Sequence, residues 1–388
     1  MRILFYNHAG QVSGAERSLL TMAHGAWDAG HGVRVAAPDG DLVAMARRDG
    51  LPVDLIAPFE LGYARDPRLL ALYAGRAVLP VRDLAAVVRR TRPDLVHANS
   101  IRSGLVAALA LRMTRPRPTL VVHLRDALQD NLLGRATARL IFSTAARVVA
   151  ISRYVGDSTG RPDKVSVLHN AVDPERYRGR DAAGRALRAR LDIAPEAPLL
   201  AVVGQISPWK GQDDAIEALA LVRRTVPGAH LLVAGSNKFP GAHRRYDNAS
   251  YEQVLKERAA REDVAGHVHF LGEVAEAASI YAAATALLTP SWAEPFGRVV
   301  IEAMVAGCPV IATNAGGVPE IVMDGVDGLL VPPRDPVALA AAVLTVLRDP
   351  LLGPRLAREG QKTAAARFTL ATYVPHVLRI WEDARTSR

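Results

Sequence analysis

The chain has 388 residues, 49% of them hydrophobic and 22% charged, and a formal net charge of +9. That length exceeds what one hydrophobic core usually serves, so two domains are expected, and the composition excludes a disordered chain. No apolar run reaches the roughly 18 residues that cross a bilayer, and the single cysteine, Cys308, excludes an intrachain disulfide, so a reducing, cytoplasmic setting is expected.

In chain order, strands are expected at 3–7, 33–38, 53–57, 95–98, 120–124, 148–151 and 165–168, with helices at 16–29 and 84–92 among their connections. The strands are β-rich runs; the connections are Ala/Leu/Arg segments with apolar residues at helical spacing. Such alternation implies parallel β-α-β units and a sheet covered on both faces. The first run reads as a strand and a turn rather than as a secretion signal. Residues 174–198 are polar, break the alternation, and read as a linker with a short helix inside. The pattern restarts at 199–204, 231–235, 268–271, 286–289, 309–313 and 329–331, with a long Gly/Pro/Asn-rich and basic loop at 236–248. A final helix over 370–384 carries Tyr373, Val377 and Trp381 at i, i+4 and i+8, an apolar stripe that must dock on something. The division read from this pattern is 1–180, 181–370, and a C-terminal helix, 371–388, able to return to the N-terminal domain.

Charge is uneven. Residues 1–180 hold 26 Lys+Arg against 16 Asp+Glu, +10 net, whereas the rest holds 22 against 23, or −1. A half this basic suits an anionic membrane surface or a phosphorylated acceptor. Few aromatics interleave with the arginines, so nucleic acid is not an expected partner.

The segment Ser291-Trp292-Ala293-Glu294-Pro295-Phe296-Gly297-Arg298 follows a buried-looking strand and opens a helix. Gly297 permits close backbone approach at the helix start, where amides and the dipole favour an anion. Glu302 lies eight residues after Glu294, a little over two helical turns, so both carboxylates can address one crevice. Paired carboxylates beside exposed amides suit a sugar and a ribose. Two further segments follow the first strand of each half: Gly10-Gln11-Val12-Ser13-Gly14, and Gly204-Gln205-Ile206-Ser207-Pro208-Trp209-Lys210-Gly211. Neither is the dinucleotide fingerprint of an NAD-dependent oxidoreductase.

The pattern Glu-Pro-Phe-Gly-x4-Glu-Ala, continued through Ala306-Gly307-Cys308-Pro309-Val310-Ile311-Ala312-Thr313 and Gly316-Gly317-Val318-Pro319-Glu320-Ile321-Val322, resembles the signature of the family-4 retaining glycosyltransferases of GT-B fold. The resemblance implies an α/β protein of two Rossmann-like, doubly wound domains facing a central cleft, and transfer of a sugar from a nucleoside-diphosphate sugar. By that resemblance Glu302 binds the ribose hydroxyls, and Glu294 contacts the transferred sugar. Backbone groups at Phe296 and Gly297 hold sugar and phosphate, and the turn Leu271-Gly272-Glu273-Val274 reads the base, Val274 included. Gly14 takes the place that approaches the diphosphate. Lys210 matches a phosphate cation, whereas Gln205 stands where an arginine is usual and carries no charge.

On the acceptor side, many relatives carry a His-Asp pair where this chain has His123-Leu124-Arg125-Asp126. Strand alternation puts His123 and Arg125 on one face, and both are catalytic candidates, although an arginine cannot act as a base at neutral pH. His97, Asn99 and Asn170 are further acceptor-side candidates. The resemblance also implies retention of configuration. No cofactor is expected, and no metal, since no Asp-x-Asp or His/Cys ligand cluster stands at a convincing spacing; UDP-sugars are favoured over GDP-sugars. The acceptor is an unidentified hydroxyl on a small molecule, a glycan or a lipid-linked group. Gln205 and Arg125 leave one alternative, an inactive nucleotide-sugar-binding partner subunit. The expected location is cytoplasmic, at the inner face of a membrane if the basic half docks there.

Overall fold

Parallel strands need long crossovers, and this chain supplies them with helices. The computed structural model describes residues 1–59, 67–237, 247–274 and 276–386; most of the loop expected at 236–248 lies outside these. In the first part, β1 (Arg2–Tyr6), α1 (Gly14–Asp28), β2 (Gly32–Ala37), α2 (Asp41–Arg48), β3 (Val53–Leu55), α3 (Pro67–Thr91) and β4 (Leu95–Ala98) come first. Next are α4 (Ile101–Ala110), β5 (Thr119–Leu124), α5 (Leu132–Phe142), β6 (Arg147–Ala150), α6 (Arg153–Asp157) and β7 (Val165–Val167). The strands pair in parallel in the order β3-β2-β1-β4-β5-β6-β7. Central strands such as β4 and β5 are buried along their whole length, which explains why they are largely apolar, His97 and His123 apart.

The second sheet is built from α7 (Asp181–Arg190), β8 (Leu199–Val203), α8 (Gln212–Arg223), β9 (His230–Ala234), α9 (Asn248–Ala259), β10 (Val268–Gly272) and α10 (Ala278–Ala283). It continues with β11 (Ala286–Thr289), α11 (Arg298–Ala306), β12 (Val310–Thr313), β13 (Leu329–Val331), α12 (Pro336–Arg348) and α13 (Leu352–Arg367). Its order is β10-β9-β8-β11-β12-β13, again parallel. Strand order therefore reverses between β1 and β4 in one sheet and between β8 and β11 in the other. Such switch points leave a crevice beyond the carboxyl ends of the strands, where ligands of open α/β sheets bind.

The chain divides into two compact units, Met1–Asn170 with Leu370–Arg388, and Ala171–Thr369. The first boundary lies ten residues before the position read from sequence, and the stretch 174–198 is not a free linker. Leu187 of α7 is buried with Ile280 and Ala283, and Arg188 donates to the Ala283 carbonyl at 2.8 Å. A β-carbon at Gly184 would stand 2.7 Å from the Ala282 carbonyl carbon, so α7 lies directly on α10. Arg185 and Arg190 stay exposed on the outside of a helix whose inner side belongs to the second core.

The last helix, α14 (Leu370–Thr386), belongs to the first unit. Its stripe of Tyr373, Val377 and Trp381 is buried. Trp381 is fully enclosed, meets Phe5 edge-on at 5.6 Å, and donates its indole N–H to His97 Nδ1 at 3.0 Å. No single helix among the described residues is long and apolar enough to cross a membrane.

Candidate active site

At the β8/β11 switch point two loops meet, 204–211 after β8 and 290–297 after β11. The Trp292 amide donates to the Trp209 carbonyl at 2.8 Å, tying the loops together. Lys210 Nζ then reaches Glu294 Oε2 at 2.6 Å, with the side chains 14% and 11% exposed, and also lies 4.2 Å from the centre of the Trp209 ring. Ser291 Oγ donates to the same Glu294 oxygen at 3.1 Å. Lys210 and Glu294, 84 residues apart in sequence, thus share one partly enclosed spot at the strand ends.

The backbone of Glu294 is pinned as well. It forms a parallel bridge with Gly316, and its carbonyl accepts from the Gly317 amide at 2.7 Å. Gly316 has φ +66°, and a β-carbon there would come within 2.1 Å of the Glu294 carbonyl oxygen, so only glycine fits. Gly297, at φ +112°, turns the chain into α11 and leaves the first amides of that helix without intrahelical acceptors. The Phe296 ring is buried edge-on against Phe368 at 5.9 Å, so only its main chain can face a ligand.

Glu302 lies one turn into α11, its side chain 13% exposed. Tyr281 donates its hydroxyl to Oε2 at 3.0 Å, and Arg298 Nη2 donates to Oε1 at 3.3 Å. Burial, then the Glu302 charge, raise the Tyr177 phenol well above the usual range. Two carboxylate–cation pairs therefore flank the start of α11: Glu294 with Lys210, and Glu302 with Arg298. Sequence reasoning missed Arg298, Tyr281 and Tyr177. The i, i+4 spacing of Arg298 and Glu302 was a readable signal; the tyrosines come from other elements and left none. The Gln205 carbonyl accepts from Gln212 Nε2 at 2.8 Å, and Val274 packs on the cluster around Ile280 just past β10. Among the described residues no group of three or more His, Cys, Asp or Glu is arranged to hold a metal ion.

At the β1/β4 switch point of the first unit, Arg125 is 6% exposed. It donates through Nε and Nη2 to Asn99 Oδ1 at 3.1 and 2.8 Å, and through Nη1 to Asn170 Oδ1 at 2.8 Å. Ser18 Oγ donates to that Asn170 oxygen at 3.2 Å, and Asn99 Nδ2 donates to the Ala15 carbonyl at 3.0 Å. Arg125, Asn99 and Asn170 are thus one buried scaffold binding β4, β5 and α1 together. At Gly14, the first residue of α1, the helix end is occupied by its own acid. Buried Glu16 accepts from the Ser13 amide at 2.9 Å and from Asn7 Nδ2 at 3.1 Å. An approaching anion meets that carboxylate as well as the helix dipole.

The histidine assignments need correction. His123 is fully buried, neither ring nitrogen has a hydrogen-bond partner, and the ring meets His97 edge-to-face at 5.4 Å. Burial, then the charge of Arg125, hold its pKa well below the ordinary value. It is a core residue of the first unit. His97 is equally buried, accepts from Trp381, and has its pKa pushed down to about 3 by burial and then by Arg125. Its place at a strand end was legible, but not the helix that closes over it. The histidine that does stand at the switch point is His8, just past β1. Its Nδ1 lies 3.0 Å from Ser100 Oγ, and burial followed by Arg102 lowers its pKa to about 3, so the ring stays neutral.

Comparison with known proteins places this geometry. The model of the glycosyl transferases group 1 matches residues 185–363, and that of glycosyltransferase family 4 matches 12–176. The D-inositol 3-phosphate glycosyltransferase of Frankia alni is 35% identical over 314 residues, 75% of this chain and 74% of that protein. The glycogen synthase of Mycobacterium tuberculosis is 29% identical over 353 residues, 84% and 78% of the two chains. Among solved structures, Anabaena Alr3699/HepE in complex with UDP-glucose superposes with a TM-score of 0.83 at 26% identity, covering 98% of this chain and 99% of that one. The sucrose-phosphate synthase of Thermosynechococcus elongatus, 20% identical with a TM-score of 0.79 over the full length of both chains, shares the fold. The chain belongs to the family-4, group 1 glycosyltransferases and is an enzyme of GT-B fold.

Proposed function

We propose that the chain is a retaining, metal-independent glycosyltransferase that moves a sugar from a UDP-sugar to a hydroxyl acceptor. The observation that carries this reading is the Lys210–Glu294 pair beside the Gly297 turn into α11, at the β8/β11 switch point. A nucleoside diphosphate laid there meets the Lys210 ammonium and the positive end of a helix dipole, the two features an anionic leaving group needs. Glu302 takes the ribose hydroxyls and Glu294 the transferred sugar. A complex of Anabaena Alr3699/HepE with UDP-glucose supports uridine as the base.

With His123 and Arg125 in the core, no base on the first unit's central strands serves the reaction. The acceptor hydroxyl instead attacks the anomeric carbon on the face from which the diphosphate departs. The new C–O bond forms as the C–O–phosphate bond breaks, and the acceptor's proton passes to the leaving phosphate oxygen. Fixed dipoles and Lys210 stabilise the departing charge without solvent reorganisation. The +10 charge of residues 1–180 favours an acceptor that is itself anionic or held at an anionic surface.

A panel of UDP-, GDP- and ADP-sugars, read by released nucleoside diphosphate with and without chelator, tests the reading. Turnover on a UDP-sugar that survives chelation is expected. A charge-assisted hydrogen bond is worth roughly 1.5–3 kcal/mol, so Glu302→Gln should weaken donor binding by about one to two decades. Unchanged donor affinity in that variant would refute the assignment.

A further inference from the structure

A glutamate carboxylate turns easily about its last torsion, whose wells are broad. One that must meet two neighbouring hydroxyls at once binds better if it is already held in a single orientation, because less ordering is left to do on binding. Glu302 is held in this way. Tyr281 of α10 donates its hydroxyl to Oε2 at 3.0 Å, and Arg298, the first residue of α11, donates through Nη2 to Oε1 at 3.3 Å. These anchors take opposite oxygens and come from different helices, so the carboxylate plane cannot turn without losing one of them. A carboxylate accepts about four hydrogen bonds, so each oxygen keeps capacity for one more donor, which is what a ribose diol supplies.

Granted the donor site proposed above, we propose that Tyr281 is a positioning residue: with Arg298 it presets Glu302 to take both hydroxyls of a ribose, and so makes the site selective for ribonucleotides over deoxyribonucleotides.

Tyr281 is 2% exposed, so its effect passes through Glu302 and not through contact with a nucleotide. Burial, then the charge of Glu302, raise its phenol well above the usual range, so the hydroxyl keeps its proton and remains the donor. The helix that carries it is fixed from behind, since α7 lies directly on α10 at Gly184. The tyrosine therefore hands the rigidity of a packed helix pair to one carboxylate, whereas Arg298 reaches the same carboxylate from one turn back along α11.

Calorimetric titration with UDP, GDP and ADP, each against its deoxyribose form, tests this on wild type, Tyr281→Phe, Arg298→Met and Glu302→Gln. The ribose is common to the three nucleotides, so the outcome does not depend on the base. Wild type should bind the ribose form about tenfold more tightly or better, the worth of one hydrogen bond to a charged acceptor. Tyr281→Phe keeps the ring and loses only the hydroxyl. It should weaken the ribose form about three- to tenfold, the cost of ordering one side chain on binding. The deoxyribose form should weaken less, because a single hydroxyl makes no demand on the second oxygen. In donor turnover the KM should rise by the same factor, more than kcat falls. Arg298→Met should narrow the ribose-to-deoxyribose ratio too, and the ratio cancels any effect of the lost charge on the diphosphate; it decides the matter if Tyr281→Phe folds poorly. Equal weakening of both forms in Tyr281→Phe overturns the positioning role and leaves the tyrosine as packing. If Glu302→Gln abolishes the ribose preference while Tyr281→Phe and Arg298→Met keep it, the donor site stands and the preset is overturned. If wild type shows no ribose preference, or Glu302→Gln keeps it, the ribose assignment of Glu302 itself falls.

Discussion

Replacing Lys210 by methionine separates the two tasks its ammonium performs. The Lys210–Glu294 contact is 2.6 Å long, with the side chains 14% and 11% exposed. Breaking a fully buried pair by removing one partner costs roughly 3–5 kcal/mol, mostly for the charge left behind. Here Ser291 still donates to Glu294 and both side chains keep some contact with water, so the expected loss of folding stability is about 2–3 kcal/mol. Adding Glu294→Gln removes the orphaned charge, and the double variant should recover about 1–2 kcal/mol of that loss. Activity should behave differently. A fixed cation facing a departing diphosphate is worth about 10²–10³ in kcat, and the double variant cannot regain it. Guanidinium unfolding curves and released nucleoside diphosphate, measured on wild type, both single variants and the double, complete the cycle. If Lys210→Met keeps turnover within about threefold of wild type, or if stability losses simply add, Lys210 is a surface lysine and the pair is not the phosphate site.

Two further outcomes follow from the same geometry. Gly316→Ala places a β-carbon 2.1 Å from the Glu294 carbonyl in a left-handed backbone; turnover should fall about ten- to a hundredfold as the Glu294 backbone shifts, while circular dichroism shows the fold retained. The first unit should also be acid-labile: His8, His97 and His123 are held neutral, with pKa about 3 for the first two. Their folded-state values lie below the unfolded 6.5, so their contribution is complete above about pH 6.5 and erodes as pH falls toward the folded values, by about 1.4 kcal/mol per pH unit for each histidine. Unfolding curves between pH 8 and 5 should show this slope, shallower in His123→Phe; a flat profile would refute burial of the neutral rings.

The alternation of apolar runs and helical connections already specified thirteen strands and two parallel sheets, because a buried parallel strand has few other compositions open to it. The Glu294–Glu302 spacing was equally legible, since a loop and the first turns of one helix are local in the chain. Long-range pairing was not. Nothing near Lys210 says that its ammonium rests on a carboxylate 84 residues away, and nothing near His123 says that Trp381 and His97 close over that face of the sheet. Histidine at a strand end is equally compatible with catalysis and with a core, and which it becomes depends on what packs above it. The same holds for 174–198, whose polar, charged character suggested a linker until α10 lay beneath α7. Periodicity reports which side of an element is apolar; the element it faces, and therefore the burial and charge of each group, is decided only when the chain closes on itself.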